Sequence, residues 1–240
     1  MLEMINVSKS YGEIKALRET TFSVQPGEIV GIVGKSGSGK TTLLRLLNLM
    51  EQPSSGKVLI DGVDVQTLSK KNIRQRQQQM GMIFQNYNLL ENLKVYDNVA
   101  LPLKLLKKQQ PEKIQSLLEF VGMEHKAKSY PSQLSGGEKQ RVSIARALSR
   151  DPKFLLCDEA TSSLDEENTE AVVRLLHKTH QELKPIIFFV SHELETVKSL
   201  CERILVMENG QLVGEFKNNP RKFSDEKLSY LEKVERSLSL

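Results

Sequence analysis

At 240 residues, with 39% hydrophobic and 27% charged residues, the chain has the composition of an ordinary globular protein, neither disordered nor fibrous. Its 34 basic residues are interleaved with 30 acidic ones for a formal charge of +4, too mild a balance to argue for nucleic acid as a partner. The apolar runs are strand-sized, no signal peptide is visible, and Cys157 and Cys201 have neither metal-ligand nor disulfide spacing, which excludes a membrane span and fits a reducing cytosolic setting.

Short apolar runs broken by turn residues predict strands over 1–7 and 22–24, the second closed by Pro26-Gly27. The continuous apolar run 29–33 predicts a buried strand, which feeds a glycine-rich loop and then a helix over 41–49. Residues 57–60, the Asp61-Gly62 pair and 63–65 predict a strand entering a tight turn. The cluster Lys70, Lys71, Arg74 and Arg76 is expected to be a solvated face. From about 86 to 149 the pattern turns helical. Pro111 opens one helix and Gly122 closes it, and a second starts after Gly137 and carries Val142, Ile144, Ala145 and Leu148. Strand and helix then alternate: a strand over 154–157, a helix over 166–183, a strand over 186–190, a helix begun by His192, and a strand over 204–207. Asn209-Gly210 predicts a hairpin returning along 211–216. Leu228, Leu231, Val234 and Leu238 lie near helical spacing and predict a short C-terminal helical tail over about 218–240. Buried strands alternating with helices predict a single α/β domain over 1–240, its largely parallel sheet covered on both faces and carrying a helical insertion at about 86–150.

Residues 34–41 read Gly34, Lys35, Ser36, Gly37, Ser38, Gly39, Lys40, Thr41, the full G-x-x-x-x-G-K-[ST] pattern of a phosphate-binding loop. Glycines let successive backbone N–H groups point at phosphate oxygens where a Cβ would block approach, and the helix that follows adds its positive end. Lys40 would place a full charge on the β- and γ-phosphates and Thr41 a hydroxyl on Mg²⁺. Average residue usage yields such a match by chance in about one chain in a hundred of this size. Its position between an apolar strand and an apolar helix favours ATP binding further.

Asp158 and Glu159 end the apolar run 154–157. In an open parallel sheet, ligands sit outside such strand ends. Asp158 is therefore the candidate Mg²⁺ holder and Glu159 the candidate acceptor of a proton from attacking water, the alternative being an acidic pair at a helix start. Ser135, Gly136, Gly137 and Glu138 precede a helix carrying Arg141 and Arg146, and offer N–H groups and a hydroxyl to an anion; alone, the same residues also form a common turn. Two anion sites with one lysine-bearing loop are reconciled if the serine-glycine segment caps nucleotide held by a second copy, in a closed two-fold dimer.

In this order and spacing, the motifs resemble the nucleotide-binding subunits of ATP-binding-cassette (ABC) transporters, over essentially the whole chain to about Phe216. The resemblance implies an ABC ATPase fold: a P-loop NTPase core with a mixed, largely parallel sheet, an N-terminal antiparallel β subdomain and an inserted helical subdomain. It implies that LSGGEKQR from Leu134 is the signature segment, with Ser135, Gly136, Gly137 and Glu138 at the partner's ATP. Gln85 in MIFQNYNLL would sense Mg²⁺ and the membrane partner, with Thr41 and Asp158 completing the metal set. Asp165 falls in the loop that crosses the dimer, His192 matches the γ-phosphate histidine, Tyr11 the aromatic ring stacked on adenine, and Thr42 joins the ATP-binding residues. Two departures stand out: Glu138 where glutamine is usual and Ser163 where alanine is common.

GMIFQNYNLL, DNVALPL, YPSQLSGGEKQRV and LLCDEATSSLD are similar to ATPases of amino-acid importers, methionine-uptake members among them. Many of those carry an extra C-terminal ligand-sensing domain, for which a chain ending at Leu240 has no room. What the resemblance implies is a homodimer with ATP and Mg²⁺ between its subunits, at the cytoplasmic face of the membrane on integral permease subunits, served by an extracytoplasmic substrate-binding protein, with no nucleic acid. The alternatives are the ATPase of an exporter or lipoprotein-release system, and a non-transport ABC ATPase. Against the latter, no sustained heptads and only one phosphate loop are present.

Overall fold

The computed structural model describes residues 1–220; the helical tail expected from Leu228, Leu231, Val234 and Leu238 lies outside the described residues. Two sheets form. β1 (Leu2–Tyr11), β2 (Ile14–Val24), β4 (Ser55–Ile60) and β5 (Val63–Asp64) make an antiparallel sheet in the order β2-β1-β4-β5. The second sheet has six strands in the order β10-β9-β3-β8-β7-β6, from β3 (Ile29–Val33), β6 (Met80–Phe84), β7 (Phe154–Asp158), β8 (Ile186–Val190), β9 (Arg203–Glu208) and β10 (Gln211–Lys217). All its pairings are parallel except the β9–β10 hairpin. The fold is α/β with a mixed, largely parallel sheet and a separate antiparallel one.

Strand periodicity of two decides which layer each residue feeds. In β8, Ile186, Phe188 and Val190 enter one hydrophobic cluster, and Ile187 and Phe189 the other. β7 alternates in the same way: Phe154 and Leu156 to one side, Leu155 and Cys157 to the other. The first side is closed by α1 (Lys40–Leu47) and the antiparallel sheet, through Leu43, Leu44, Leu46, Leu47, Leu2 and Met4. The second is closed by α3 (Val95–Lys104), α4 (Pro111–Phe120), α5 (Gly136–Leu148), α6 (Glu166–Leu183) and α7 (Leu194–Leu200). Burial of β3 and β8 on both faces is why their sequences are continuous apolar runs rather than alternating ones. Each such Val, Ile or Phe contributes about 1.5–3 kcal/mol on burial. Gly31 in β3 lets α7 close down, since a Cβ there would lie 2.5 Å from Val197 Cγ1.

Several elements differ from the sequence expectations. β1 and β2 are longer than expected, joined by a turn at Gly12 (φ +59°), because their outward residues are polar and hid the strand pattern. α2 (Lys70–Gln77), capped by Ser69, has no buried residue, so it carries no apolar periodicity to read. β6 was not anticipated as a strand; it pairs with β7 over its whole length and delivers Gln85 to the sheet edge. α3 contains Pro102 and is fastened at its start by fully buried Asn98, whose side chain accepts from Leu90 N (2.8 Å) and donates to the carbonyls of Leu90, Leu93 and Lys94. His192 does not begin a helix. It sits in a turn made by Ser191 Oγ, which accepts from Glu193 N at 3.0 Å, and α7 starts at Leu194. A short serine turn outcompetes the helix there.

Candidate functional site at the carboxyl ends of the parallel strands

The register of the central sheet brings the sequence motifs together. Phe84 pairs with Asp158, Asp158 with Val190, and Val190 with Ile32, so the carboxyl ends of β6, β7, β8 and β3 lie side by side. The residues that follow those strands are Gln85, Glu159, His192 and the 34–41 loop. Four segments separated by up to 150 or so positions of chain thus share one edge, as expected for a ligand crevice in an open α/β sheet.

Two glycines of the loop adopt conformations closed to other residues: Gly37 at φ +77° and Gly39, the N-cap of α1, at φ +100°. A Cβ on Gly34 would lie 2.3 Å from Met207 O and 2.5 Å from Ser38 Oγ. Lys40 is almost wholly buried and its Nζ donates to Gly34 O (2.6 Å) and Lys35 O (3.1 Å), so the cation is folded back over its own loop with one donor to spare. Ser36 and Gly37 are exposed, as is Thr41; Thr42 is half-buried. Ser38 Oγ is buried with no hydrogen-bond partner. The loop is braced from behind by the β9–β10 turn: Gly210 N donates to Ser38 O (3.0 Å), and Arg18 N to Gly210 O (2.7 Å). Asn209 and Gly210 have φ of 48° and 76°, the pattern of a type I′ hairpin turn. The dipeptide was legible as a hairpin; its brace on the loop was not.

Asp158 is half-buried, and burial pushes its carboxyl above the usual range, helped by the charge of Glu159, while Lys40 and Arg45 pull it back down. Glu159 is held at φ +49°, its N–H donating to Val190 O (3.0 Å), and its Oε1 lies 3.5 Å from His192 Nδ1. A non-glycine residue in the left-handed region costs about 1–3 kcal/mol and persists only when its surroundings impose it. The pair therefore ends a strand and is not the acidic first turn of a helix.

Ser135 and Glu138 form a reciprocal capping box on α5: Ser135 N donates to Glu138 Oε2 (2.8 Å) and Glu138 N to Ser135 Oγ (3.3 Å). The backbone N–H of Ser135 holds the Glu138 carboxyl below its ordinary value. Glutamate and glutamine both make this box, which is why Glu138 fits where glutamine is usual. Asp165 caps α6 and grips Asn168 through its backbone N–H (2.8 Å) and side-chain amide (3.0 and 2.9 Å), and those bonds lower its carboxyl. A Cβ on Gly137 would lie 1.8 Å from Asn168 Oδ1. Asn168 is pinned, so Gly137→Ala is expected to destabilise the protein by about 1–3 kcal/mol through overpacking. Thermal unfolding of Gly137→Ala beside Gly137→Ala/Asn168→Ala checks this: the second substitution should recover most of the loss, and an unaltered midpoint in the single variant would contradict the contact.

Among the described residues no hydrogen bond or ion pair joins the 135–138 segment to the 34–41 loop of the same chain. Tyr11 is likewise bonded elsewhere: its hydroxyl donates to Glu51 Oε2, and Lys9 Nζ lies 5.1 Å from its ring centre. Sequence reasoning also missed how the turn after Gln85 is held. Tyr87 and Asn88 both have positive φ (57° and 50°), and Arg146 donates to Tyr87 O (2.7 Å) and Asn88 O (2.5 Å), joined by Ser143 Oγ to Tyr87 O (3.2 Å). The available signal was a lone charged residue in the largely apolar last turns of α5, residues 142–148.

The sequence profile of the ABC transporter family matches residues 17–162. The chain belongs to the ABC transporter family. This cassette is 50% identical over 220 residues to a methionine import ATP-binding protein of Listeria innocua, covering 89% of the cassette and 65% of the relative. It is 46% identical over 222 residues to another methionine import ATP-binding protein, from Oceanobacillus iheyensis, covering 90% and 64%. It thus spans just under two thirds of the length of these curated relatives. Among solved structures, the ABC cassette resembles a dimeric post-hydrolysis state of the ATP-binding cassette MJ0796 bound to ADP and Pi, with a TM-score of 0.82, 33% identity, and coverage of 93% of this chain and 100% of that one. CbiO1 of Clostridium perfringens, part of the ABC transporter complex cbiONQ, superposes with a TM-score of 0.83 at 29% identity, covering 90% and 88%.

Proposed function

We propose that this chain is the ATP-hydrolysing subunit of a membrane ABC transporter that imports an amino acid. The observation that carries the reading is the convergence of the Lys40 loop, Gln85, Asp158, Glu159 and His192 on one sheet edge. In this reading the N–H groups of Gly34, Lys35, Ser36, Gly37, Ser38 and Gly39 receive the phosphates, and Lys40 turns from its two carbonyls to the β- and γ-oxygens. Thr42 lies beside them in the first turn of α1, and Tyr11 flanks the base. The oxygen-only set of Thr41, Gln85 and Asp158 suits Mg²⁺, which takes few protein ligands beside phosphate. The metal supplies charge neutralisation at the phosphates. Glu159 accepts the proton of the attacking water, and His192, 3.5 Å from it, donates toward the γ-phosphate.

Ser135, Gly136, Gly137 and Glu138 make no hydrogen bond or ion pair with their own chain's loop among the described residues, which supports two copies arranged head to tail, each capping the other's nucleotide, with Asp165 crossing between them. A groove of about 560 Å³ beside Gln85, lined by Met82, Phe84, Asn88, Arg146 and Arg150, is the surface we assign to an integral permease subunit. No helix among the described residues is long and apolar enough to cross a membrane, so attachment at the cytoplasmic face runs through that partner. The naming of its relatives as methionine import ATP-binding proteins supports amino-acid import, and in this reading an extracytoplasmic binding protein delivers the substrate.

Phosphate release by the purified chain, with and without Mg²⁺, tests the reading; no Mg²⁺-dependent release across a wide protein concentration range would remove it. Asp158 gives a second check. Its folded pKa lies above its unfolded value of about 3.9, so its contribution to stability is present below that pH and is lost as pH rises through the folded value. At neutral pH the ionised carboxylate opposes folding. Asp158→Asn is therefore expected to raise the thermal midpoint of the nucleotide-free protein, by ~2–4 °C for each kcal/mol relieved, and to abolish the Mg²⁺-dependent part of nucleotide stabilisation. Scanning fluorimetry reads both; a lowered midpoint without nucleotide would contradict the electrostatic account.

A further inference from the structure

The turn that carries Gln85 and the helix that begins at Ser135 are joined by a tie that the proposed chemistry does not use. Its centre is Arg146. The guanidinium spans two adjacent carbonyls, donating from Nη2 to Tyr87 O and from Nη1 to Asn88 O at 2.7 and 2.5 Å. Among the described residues it pairs with no carboxylate, and burial pushes its pKa down. A partly buried cation in that position has exchanged part of its water for two backbone acceptors, and its planar fork holds both carbonyls in one geometry. They belong to the two consecutive non-glycine residues in the left-handed region, a backbone shape that needs an external hold.

Besides its own backbone bonds, Tyr87 N to Phe84 O and Asn88 N to Asn86 O, two more contacts of the turn run to the same helix. Ser143 Oγ donates to Tyr87 O at 3.2 Å, and the Tyr87 hydroxyl lies 2.9 Å from where a Cβ on Gly136 would be. Gly136, Ser143 and Arg146 fall on one stripe of α5 at helical spacing. Tyr87 is thus fixed at both ends to α5: its carbonyl to the last turns, its hydroxyl end against the first residue after Ser135. Arg146 and Asn88 also line the 560 Å³ groove, which puts the tie within reach of its occupant.

We infer that Arg146 is a positioning residue that makes the Gln85 turn and the Ser135–Gly137 helix start one mechanical unit, so that the motif facing the chain's own nucleotide and the motif facing the partner's move together. The inference rests on the assignment of Gln85 and Ser135 to nucleotide sites, and its test includes an arm that needs no nucleotide.

That arm is amide hydrogen exchange on wild type and Arg146→Met. The variant should exchange faster both in residues 85–88 and in residues 135–139, with the 34–41 loop unchanged. Loosening confined to the turn, or none at all, overturns the tie. In the kinetic arm, Arg146→Met should lower kcat by about 10- to 10²-fold, the usual effect of misplacing a reacting group by an ångström, with the Kd for ATP within about twofold of wild type. Arg146→Lys should stay low, because a single ammonium does not reproduce the fork. Asn88→Gly added to Arg146→Met should recover part of kcat, since glycine takes the left-handed turn unaided. Wild-type kcat in Arg146→Met, or a parallel loss of ATP affinity, kcat and 34–41 protection, overturns the positioning role. If the wild-type chain hydrolyses no ATP while both segments loosen together, the proposed function fails and the mechanical tie stands.

Discussion

Glu159→Gln is expected to lower ATP turnover by about 10²–10⁴-fold while leaving ATP binding intact, the usual worth of a positioned general base. The substitution is nearly isosteric, and the bond that fixes the backbone, Glu159 N–H to Val190 O, does not involve the side chain. What disappears is the proton acceptor assigned to the attacking water, placed between Asp158, which is assigned to the metal, and His192. Removing the charge also relieves the like-charge pressure on the Asp158 carboxyl, so metal-nucleotide binding should be equal or tighter. With hydrolysis blocked and both copies loaded, the protein should sediment as a dimer in the presence of ATP and Mg²⁺. Steady-state phosphate release and sedimentation velocity read the two effects separately. Turnover at the wild-type rate would take Glu159 out of the role, and a monomer under saturating ATP would argue against the composite site.

Lys40→Ala is expected to act earlier, on binding itself. A charge-assisted hydrogen bond is worth about 1.5–3 kcal/mol, which corresponds to roughly 10- to 10²-fold in ATP affinity. The empty protein suffers too. Lys40 Nζ donates to Gly34 O and Lys35 O in a nearly buried position, so alanine takes a donor from each carbonyl, leaving Lys35 O with Ser38 N alone, and opens a gap under the loop. It also removes the leading positive influence on Asp158, whose carboxyl pKa should then rise further. Calorimetric titration at a temperature where both proteins are folded separates lost affinity from lost structure. Equal ATP affinity in wild type and variant would sink the loop assignment.

The two variants divide the site in an informative way. Lys40 acts on the ground-state complex, Glu159 on the step that follows, and Asp158 on both through its awkward burial. A protein that tolerates a half-buried carboxylate beside another carboxylate, a left-handed glutamate and two left-handed residues after Gln85 carries local strain at one edge of an otherwise well-packed sheet. Of the described residues, seven other non-glycine ones, Asn6 and Lys184 among them, also have positive φ, so what distinguishes this edge is the pairing of such backbone with two adjacent carboxylates.

Much of this was legible in the chain alone. The phosphate loop, the strand ending in Asp158-Glu159, the Ser135 helix start and the strands 29–33 and 186–190 could be read because each is a local pattern: a glycine spacing, a serine–glycine turn before a helix, a continuous apolar run. Local patterns need no partner to be recognised. β6, α2 and the register that aligns Gln85 with Asp158 and His192 could not be read. β6 and α2 owe their identity to a neighbour strand or to solvent rather than to their own periodicity, and a register is a relation between distant segments.

The sequence by itself determined the kinds of chemistry available: which amides could cradle phosphate, which carboxylates could hold a metal or take a proton, and that one lysine-bearing loop faced two candidate anion sites. Only the tertiary structure decided which of these groups meet. It set four strand ends side by side, left the Ser135 segment with no bond to its own loop, turned Asn168 into the reason for Gly137, and made Arg146 the fastening of the Gln85 turn. The physical reason is that side-chain type and helix or strand period are encoded over a few residues, whereas contact between residues distant in the chain is set by how two buried faces pack, and no short window of sequence contains both faces.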